Sequence, residues 1–357
     1  MNTVSLSLAE YSLPLTRPLP GAGVSISARK GLLVGFESDC GHVGWGDVAP
    51  LPGFSVETLD DARQQLEGDG DLHAQIGDLL RDDLTPQTLL EASSTFKAHS
   101  SVTFGLETAL LNLLAEVSGK AWHHALGRKP LGSVRVNALL QGEELATELE
   151  ALLDQGFKSI KIKVGKQSPE ADAERIREGV ELVAGKAVLR LDANRAWTLE
   201  QALKFSDELG ELEIDYIEEP VNNPHDLAAF SSGSELPLAL DESLTDDAFD
   251  PDSVPAAAWV IKPTLQGGIS GALKLSEAAR ALDAIPVISA AFESGLGLRA
   301  LAQLSAVLVD EGVAVGLDTG KWLGADVLEP SLQIVSGQID VDAICSQSMQ
   351  VSADADG

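Results

Sequence analysis

Two segments near the middle of the chain, SIKIKVG at 159–165 and AVLRLDAN at 187–194, alternate between charged or polar and apolar residues. Because residues i and i+2 share one face of a β-strand, each segment predicts a strand with one charged and one apolar face. The apolar faces need a covering layer of helices, so we expect the charged faces to point into a closed sheet. The side chains expected to point inward are Lys161, Lys163, Arg190, Asp192 and Asn194.

Short apolar strand candidates of this kind recur roughly every 20 to 30 residues, with amphipathic helical stretches between most of them. The candidates are VRVNALL (134–140), SIKIKVG (159–165), AVLRLDAN (187–194), IDYIEEP (214–220), LPLALDES (236–243), AAWVIKP (257–263), IPVISAAF (285–292) and VAVGLD (313–318). This alternation predicts an α/β fold with a (β/α)₈-type barrel. An open doubly wound sheet is the alternative, although no glycine-rich dinucleotide motif follows the first strand.

The remaining segments have a different pattern. The first 60 residues predict strands and turns, and helical spacing begins near Ser55, so we expect an α+β unit over residues 1–128. The barrel then occupies 129–325. The last segment, 326–357, is short, polar and acidic, and we expect it to pack back toward the first unit before the tail frays.

The composition excludes several classes of function. The 357 residues include 25 Lys and Arg and 55 Asp and Glu, which gives a formal net charge of −30. So acidic a protein is disfavoured as a partner of nucleic acids and anionic membrane surfaces. No run of 18 apolar residues and no signal peptide is visible, and two cysteines suit a reducing compartment. We therefore expect a cytoplasmic enzyme acting on a small molecule, whose oligomeric state the sequence does not determine.

Carboxylates stand at the ends of three consecutive strand candidates: Asp192, one of Glu218 and Glu219, and Asp241. Barrel enzymes keep their active sites at this end of the strands. Hard carboxylate oxygens suit Mg²⁺, with Mn²⁺ as a substitute, and the absence of Cys and His from these strand ends argues against zinc. The alternative interpretation is a set of surface acids or structural ion pairs.

Lys163 and Lys262 lie on the second and sixth strand candidates, so in a closed barrel they face each other across the interior. A lysine serves as a base when burial and neighbouring cations lower its pKa, and Lys161, Arg190 and the metal are the expected neighbours of Lys163. This arrangement suits removal of a proton next to a carboxylate, with the metal stabilising the enediolate. For Lys161 alone, a structural role is an equal alternative.

The motifs KIKVG, LRLDANRAW, IEEP, LALDES, VIKPTLQGG and ISAAFESGLGL resemble the enolase superfamily, in its muconate-cycloisomerase-like branch. GWGDVAPLPGFSVETLDDA and LRLDANRAW resemble, more narrowly, its o-succinylbenzoate synthase family. The resemblance covers most of the chain, from about Val34 to about Leu323. It implies a modified (β/α)₇β barrel closed by the N-terminal α+β unit, a capping domain.

The resemblance also implies roles for individual residues. It makes Lys163 the base and Lys262 the opposing cation, and it selects Glu218 as the metal ligand between Asp192 and Asp241. Arg190 matches an arginine two residues before the first ligand. Substrate contacts are implied for Asn194, Ser289, Gly53 and the Gly295–Gly297 region, and loops at 18–21 and 51–54 would form a lid. The alternative interpretation of the glycines and prolines in these loops is that they are plain turn formers.

The activity that the resemblance implies is dehydration of 2-succinyl-6-hydroxy-2,4-cyclohexadiene-1-carboxylate to 2-succinylbenzoate in menaquinone biosynthesis. The alternatives on the same fold are an N-acylamino acid racemase or dipeptide epimerase, or a muconate cycloisomerase. Dipeptide epimerases of this branch carry Asp-x-Asp on the last strand, where this chain has Gly316 and Asp318. A non-catalytic scaffold would be indicated by loss of Lys163, Asp192 or Asp241, and all three are present.

Overall fold

The N-terminal part of the chain pairs an antiparallel sheet with four helices. The computed structural model describes residues 4–20, 25–80, 84–140, 144–246 and 248–353. The sheet has the order β1-β2-β3. Its elements are β1 (Val4–Pro20), β2 (Ser25–Ser38), β3 (Val43–Val48), α1 (Leu59–Gly68), α2 (Gly70–Leu79), α3 (Pro86–Ser93) and α4 (Ser100–Ser118).

The second part alternates strands with helices, as predicted. Its strands are β4 (Ser133–Val136), β5 (Ala138–Leu140), β6 (Ser159–Lys163), β7 (Val188–Asp192), β8 (Tyr216–Glu218), β9 (Leu238–Leu240), β10 (Ala258–Ile261), β11 (Ile285–Ile288) and β12 (Ala314–Val315). Its helices are α5 (Leu145–Asp154), α6 (Pro169–Val183), α7 (Leu199–Leu209), α8 (Leu227–Gly233), α9 (Gly268–Ala281) and α10 (Gly295–Leu308).

These strands close into a barrel. β5 to β11 form one parallel sheet in chain order. β12 bridges its two edges: the Gly316 amide donates to the Ile288 carbonyl and the Asn137 amide to the Val315 carbonyl, each at 2.8 Å. The predicted barrel with its N-terminal capping domain is confirmed, and the open doubly wound sheet is wrong.

One connection departs from the strand–helix alternation. In its described part, the segment between β9 and β10 contains 3₁₀ turns, Glu242–Thr245 and Pro251–Ser253, where the other connections from β5 to β12 contain α-helices. Asp250 caps the second turn and Pro251 occupies its first position, which favours a short turn over a longer helix. This shorter connection leaves the end of β9, with Asp241, covered by turns.

The C-terminal segment contacts both parts of the molecule. It contains β13 (Leu328–Glu329), β14 (Gln338–Asp340), α11 (Val341–Ser346) and β15 (Gln350–Val351). β14 pairs with β4 of the barrel, while Met349 and Val351 pack against a buried cluster that includes the capping-domain residues Tyr11 and Leu13. The domain boundaries at 128 and 325 stay a prediction, and the last four residues of the tail predicted to fray lie outside the described residues. No helix among the described residues is long and apolar enough to cross a bilayer.

The capping domain is held together by a close approach of α4 to β3. A Cβ at Gly46 would lie 1.9 Å from the Gly105 carbonyl oxygen, and one at Gly44 would lie 2.2 Å from the Ala109 carbonyl oxygen. These contacts are backbone atoms, which cannot turn away as a flexible side chain can. Only glycine therefore permits this packing.

We expect Gly46→Ala to destabilise the protein by about 2–3 kcal/mol or more, because overpacking forces the helix from the strand. Gly77→Ala is the matched control: Gly77 lies inside α2, no described residue comes within 4 Å of an added Cβ, and alanine there should stabilise by about 0.5–1 kcal/mol. Urea denaturation of both variants measures the free energy of unfolding. Equal effects of the two substitutions would contradict the packing argument.

A buried carboxylate connects the capping domain to the barrel. Glu107 of α4 accepts hydrogen bonds from the backbone amides of Ile269 and Ser270, in the first turn of α9, and from the Ser93 hydroxyl. Burial raises the pKa of Glu107 from 4.5 to about 7, although these donors lower it. The unsatisfied amides of a helix N-terminus are thereby bound across the two parts of the chain.

The raised pKa of Glu107 predicts a pH-dependent stability. Folding takes up a proton between about pH 4.5 and 7, so this contribution is complete below the lower value and is lost as the pH rises through the upper one. Relative to Glu107→Gln, the wild-type free energy of unfolding should fall by about 2–3 kcal/mol from pH 4.5 to 8. Denaturant titrations at several pH values measure the difference. If the free energies of unfolding of wild type and Glu107→Gln changed in parallel with pH, Glu107 would not titrate in this range.

Candidate active site

The strand register places the charged residues side by side at the carboxyl end of the barrel. Lys163 pairs with Asp192 on β7, and Asp192 pairs with Glu218 on β8. Asp241 directly follows β9. The alternating apolar residues, such as Ile162 and Leu191, are fully buried on the opposite face, in the core shared with the helices. Strand parity therefore brings these charged side chains together in the interior, as the sequence predicts.

Lys161 lies among the three acids. Its Nζ is 2.8 Å from Asp192 Oδ2 and also donates to Glu218 Oε2. Burial alone would lower the pKa of Lys161, but the charges of Asp192, Glu218 and Asp241 outweigh it and the pKa is raised well above its usual value. A positive charge at this point is thus stabilised by three carboxylates.

The acids differ in how well their charge is compensated. Burial raises the pKa of Glu218 to about 7, with Lys161 lowering it and the charges of Asp192 and Asp241 raising it further. Burial also raises the pKa of Asp192, but Lys161 and Lys163 outweigh it and hold that pKa below the usual range. The charge of Glu218 is therefore less well stabilised than that of Asp192, mainly because of its burial.

This donor set fits a divalent cation such as Mg²⁺, because hard carboxylate oxygens surround a point where the structure places an ammonium group. Across the described residues, no three Asp, Glu, His or Cys side chains are grouped closely enough to form a ready-made metal site. Lys161 and Lys262 instead contact oxygens of all three acids. To bind a metal ion, these three carboxylates would have to exchange their contacts with the lysine ammonium groups for contacts with the ion.

Lys163 and Lys262 line one cavity of about 130 Å³. Lys163 Nζ donates to Asp192 Oδ2 at 3.2 Å and to Asn194 Oδ1, while Lys262 Nζ donates to Asp241 Oδ2. Burial would lower the pKa of Lys262, but Asp241 and Glu242 outweigh it and the pKa is raised. Each lysine is thus held at the cavity wall by one of the acids.

The other end of the cavity is apolar and combines both parts of the chain. Leu19, Ile26 and Leu51 of the capping domain form a buried cluster with Ala291 of the barrel, and Phe292 packs against it. Phe54 also lines the cavity. Of the two loops expected to form a lid, 18–21 contributes Leu19 to the cavity wall and 51–54 contributes Leu51 and Phe54, whereas Gly21 lies outside the described residues. The cavity is therefore charged at one end and apolar at the other.

The structure corrects the expected position of Arg190. Its Nε donates to Asp215 and its Nη1 to the Ala314 carbonyl, both at 2.7 Å, and its guanidinium lies 4.7 Å from the ring centre of Tyr216. These partners line a separate cavity that does not include Lys163. Inward side chains of a barrel stack in layers, and Arg190, two residues before Asp192, belongs to the layer below.

Two other expected substrate contacts lie outside the lining of this cavity. Gly53 lines a neighbouring cavity together with Asp241 and Lys262. The Gly295–Gly297 region begins α10, where Gly295 and Gly297 pack against carboxylate side chains. Asn194 and Ser289, by contrast, line the cavity itself.

The cavity also contains polar residues that strand parity did not identify: Asn137, Asp318 and Thr319. Asp318 accepts from the Leu139 amide at 3.0 Å and pairs with Lys321. Asn137 lies between β4 and β5 and breaks the alternation along the predicted strand 134–140, so the sequence did not show which of these side chains point inward. Asp318 matches the second acid of the Asp-x-Asp motif, and Thr319 follows it directly after the last strand, which is the signal that could have indicated Thr319.

Gly316 on the last strand is constrained by its neighbour. A Cβ at Gly316 would lie 2.4 Å from Ser289 Oγ and 3.0 Å from Ser289 Cβ. A side chain at the position of the first acid of the Asp-x-Asp motif would therefore displace Ser289 from the cavity wall.

Two family models match the chain, "Enolase C-terminal domain-like" over residues 144–344 and "MenC, N-terminal domain" over residues 3–113. An o-succinylbenzoate synthase of Aliivibrio fischeri (strain MJ11) is 33% identical, covering 87% of this chain and 88% of that protein. "Protein PHYLLO, chloroplastic" of Arabidopsis thaliana is 34% identical over 86% of this chain, which spans only 20% of that longer protein.

The fold is shared with solved structures. A dipeptide epimerase from Methylococcus capsulatus, crystallised with Mg and the dipeptide L-Arg-D-Lys, superposes with a TM-score of 0.74 at 24% identity, covering 95% of this chain and 96% of that one. At that identity the likeness concerns the fold. The family models and the sequence identity over nearly the whole chain go further: the chain belongs to the o-succinylbenzoate synthase family of the enolase superfamily.

Proposed function

We propose that the chain is a Mg²⁺-dependent dehydratase that converts 2-succinyl-6-hydroxy-2,4-cyclohexadiene-1-carboxylate to 2-succinylbenzoate, a step of menaquinone biosynthesis. The observation that carries the proposal is a single cavity lined by Lys163 and Lys262, with the buried acids Asp192 and Asp241 holding the two lysines. The names of the relatives and of the matching N-terminal family model support this substrate.

Asp192, Glu218 and Asp241 would hold the metal, Mg²⁺ or in its place Mn²⁺. When bound, the ion supplies positive charge that favours acidity of the carbon next to the substrate carboxylate. The Mg in the dipeptide epimerase crystal supports a divalent ion in a barrel of this shape. Lys161, in contact with Asp192 and Glu218, adds positive charge beside the substrate carboxylate.

Lys163 is the proposed base. Asp192 and Asn194 both contact its Nζ, which fixes the amine at the cavity wall. Its neutral amine takes the proton alpha to the ring carboxylate, and the electron pair left behind is delocalised into that carboxylate. Positioning of the amine before reaction is what the two contacts contribute.

Lys262 is proposed to lie on the opposite side of the substrate ring. As a cation it stabilises the negative charge that proton removal creates. The carbon–oxygen bond of the 6-hydroxyl then breaks with its electron pair, the ring becomes aromatic, and hydroxide together with the proton on Lys163 leaves as water. The apolar end, with Leu19, Leu51 and Phe54, excludes solvent from the ring.

Smaller roles are proposed for the remaining residues. The Ser289 hydroxyl makes a long contact, 3.4 Å, to the Gly316 carbonyl and is available to the substrate. Asn194 contacts Lys163 and Glu242, so its main role is to position the base. Gly53, in the neighbouring cavity, would contact the substrate only at the boundary of the two cavities.

An N-acylamino acid racemase is the second candidate, favoured by the two lysines on one cavity, since two opposed bases exchange an alpha proton from either face. A dipeptide substrate is disfavoured because this chain has Gly316 where the Asp-x-Asp motif of dipeptide epimerases has its first acid, and a side chain there would displace Ser289.

The test of the function is incubation of the protein with the cyclohexadiene carboxylate and, in parallel, with N-acylamino acids in deuterated water. We expect 2-succinylbenzoate to form, EDTA to abolish its formation and added Mg²⁺ to restore it. Alpha-deuterium exchange on the amino acids should be slower than this turnover. Exchange that is faster than turnover would identify the racemase as the main activity.

Lys163→Ala should lower kcat of the dehydration by at least about a hundredfold, because it removes the base from the cavity wall. Lys166→Ala is the matched control, a lysine three residues later that lies outside the cavity lining, and it should retain activity. Circular dichroism confirms that both variants fold. Full activity in folded Lys163→Ala would rule out the proposed mechanism.

A further inference from the structure

Glu219 directly follows the proposed ligand Glu218, but its side chain belongs to a different network. Its φ of 41° is in the left-handed region, which is unusual for a residue with a side chain. While Glu218 contacts Lys161, Glu219 contacts the residues around Asp241 and is completely buried. An unusual backbone conformation that aims two adjacent acids at different partners requires an explanation.

The carboxylate of Glu219 is fully occupied by donors. Oε1 accepts from the backbone amides of Asp241 at 2.9 Å and Ser243 at 2.8 Å. Oε2 accepts from the Ser243 hydroxyl at 2.8 Å and from Arg195 Nε at 3.0 Å. Two of these four bonds are made to the backbone at and just beyond Asp241, so Glu219 fixes the course of the chain at that residue.

Arg195 extends the network to the strand that carries Asp192. Its amide donates to the Glu219 carbonyl at 2.7 Å, and its Nη2 donates to the Ser243 hydroxyl at 2.9 Å. It follows Asp192 by three residues. The network of Arg195, Glu219 and Ser243 therefore joins the segments that follow all three proposed metal ligands.

We propose that Glu219 is a positioning residue that orients Asp241 for Mg²⁺ binding. The inference rests on the proposed function, in which Asp241 is a metal ligand. Removal of the carboxylate would leave the buried amides of Asp241 and Ser243 without an acceptor. Substitution of a residue that orients a metal ligand typically lowers the metal affinity about 10- to 100-fold.

The test is a calorimetric titration of Mg²⁺ into the full chain at pH 8, comparing wild type with Glu219→Gln. In glutamine one carboxylate oxygen is replaced by an NH₂ group, which donates. The glutamine side chain therefore cannot accept hydrogen bonds both from the two backbone amides and from the Ser243 hydroxyl and Arg195. We expect the Mg²⁺ dissociation constant to rise at least about tenfold. Thermal unfolding of the same samples shows whether the variant is folded.

Glu107→Gln is the matched control. Glu107 is equally buried and also accepts from two backbone amides and a serine hydroxyl, but it lies between the capping domain and α9. We expect this variant to change stability and to leave the Mg²⁺ affinity within about twofold of wild type. An equal loss of affinity in both variants would show a general destabilisation and overturn the inference.

Two further variants separate this inference from the proposed ligand set. Asp241→Asn that retains wild-type Mg²⁺ affinity contradicts the ligand set itself. If Asp241→Asn loses affinity while folded Glu219→Gln keeps it, the ligand set stands and the positioning role is wrong. Ser243→Ala removes one donor of the same carboxylate: should Glu219→Gln fail to fold, an affinity lowered several-fold in Ser243→Ala supports the inference and an unchanged affinity overturns it.

Discussion

Three carboxylates and three ammonium groups share the inner end of the barrel, and each depends on the others to remain charged away from water. Asp192 contacts both Lys161 and Lys163, Glu218 contacts Lys161, and Asp241 contacts Lys262. A charge buried without a partner is very costly. The cluster is consequently a unit: removing one member changes the charge balance of the rest, and an entering cation competes with the lysines for the same oxygens.

Buried carboxylates also organise the structure around this cluster. Asp47 accepts from the Tyr11 hydroxyl and from the amide and hydroxyl of Ser294, just before α10, much as Glu107 does at α9. Both acids come from the capping domain and both bind helices that follow barrel strands. The apolar half of the cavity is built from the capping domain and the barrel together, so these contacts hold the two halves of the cavity in place.

The parts predictable from sequence were those governed by local periodicity. Strand parity and spacing predicted the eight strand segments of the barrel and the inward direction of Lys163, Asp192 and Lys262, because alternation along a strand is a property of the backbone. The depth of a side chain was not predictable. Arg190 has the correct parity but lies one layer below the cavity, and its partners, Asp215 and the Ala314 carbonyl, are distant in sequence.

The sequence by itself determined which residue types meet at the carboxyl end of the barrel, since a strand that hides its apolar face under helices must turn its charged face inward. Only the tertiary structure decided which of Glu218 and Glu219 faces the lysines, because a single left-handed backbone residue separates their directions. It also decided that a side chain at Gly316 would displace Ser289, through the close approach of the two residues. Both depend on contacts between neighbouring strands, which spacing along one strand does not describe.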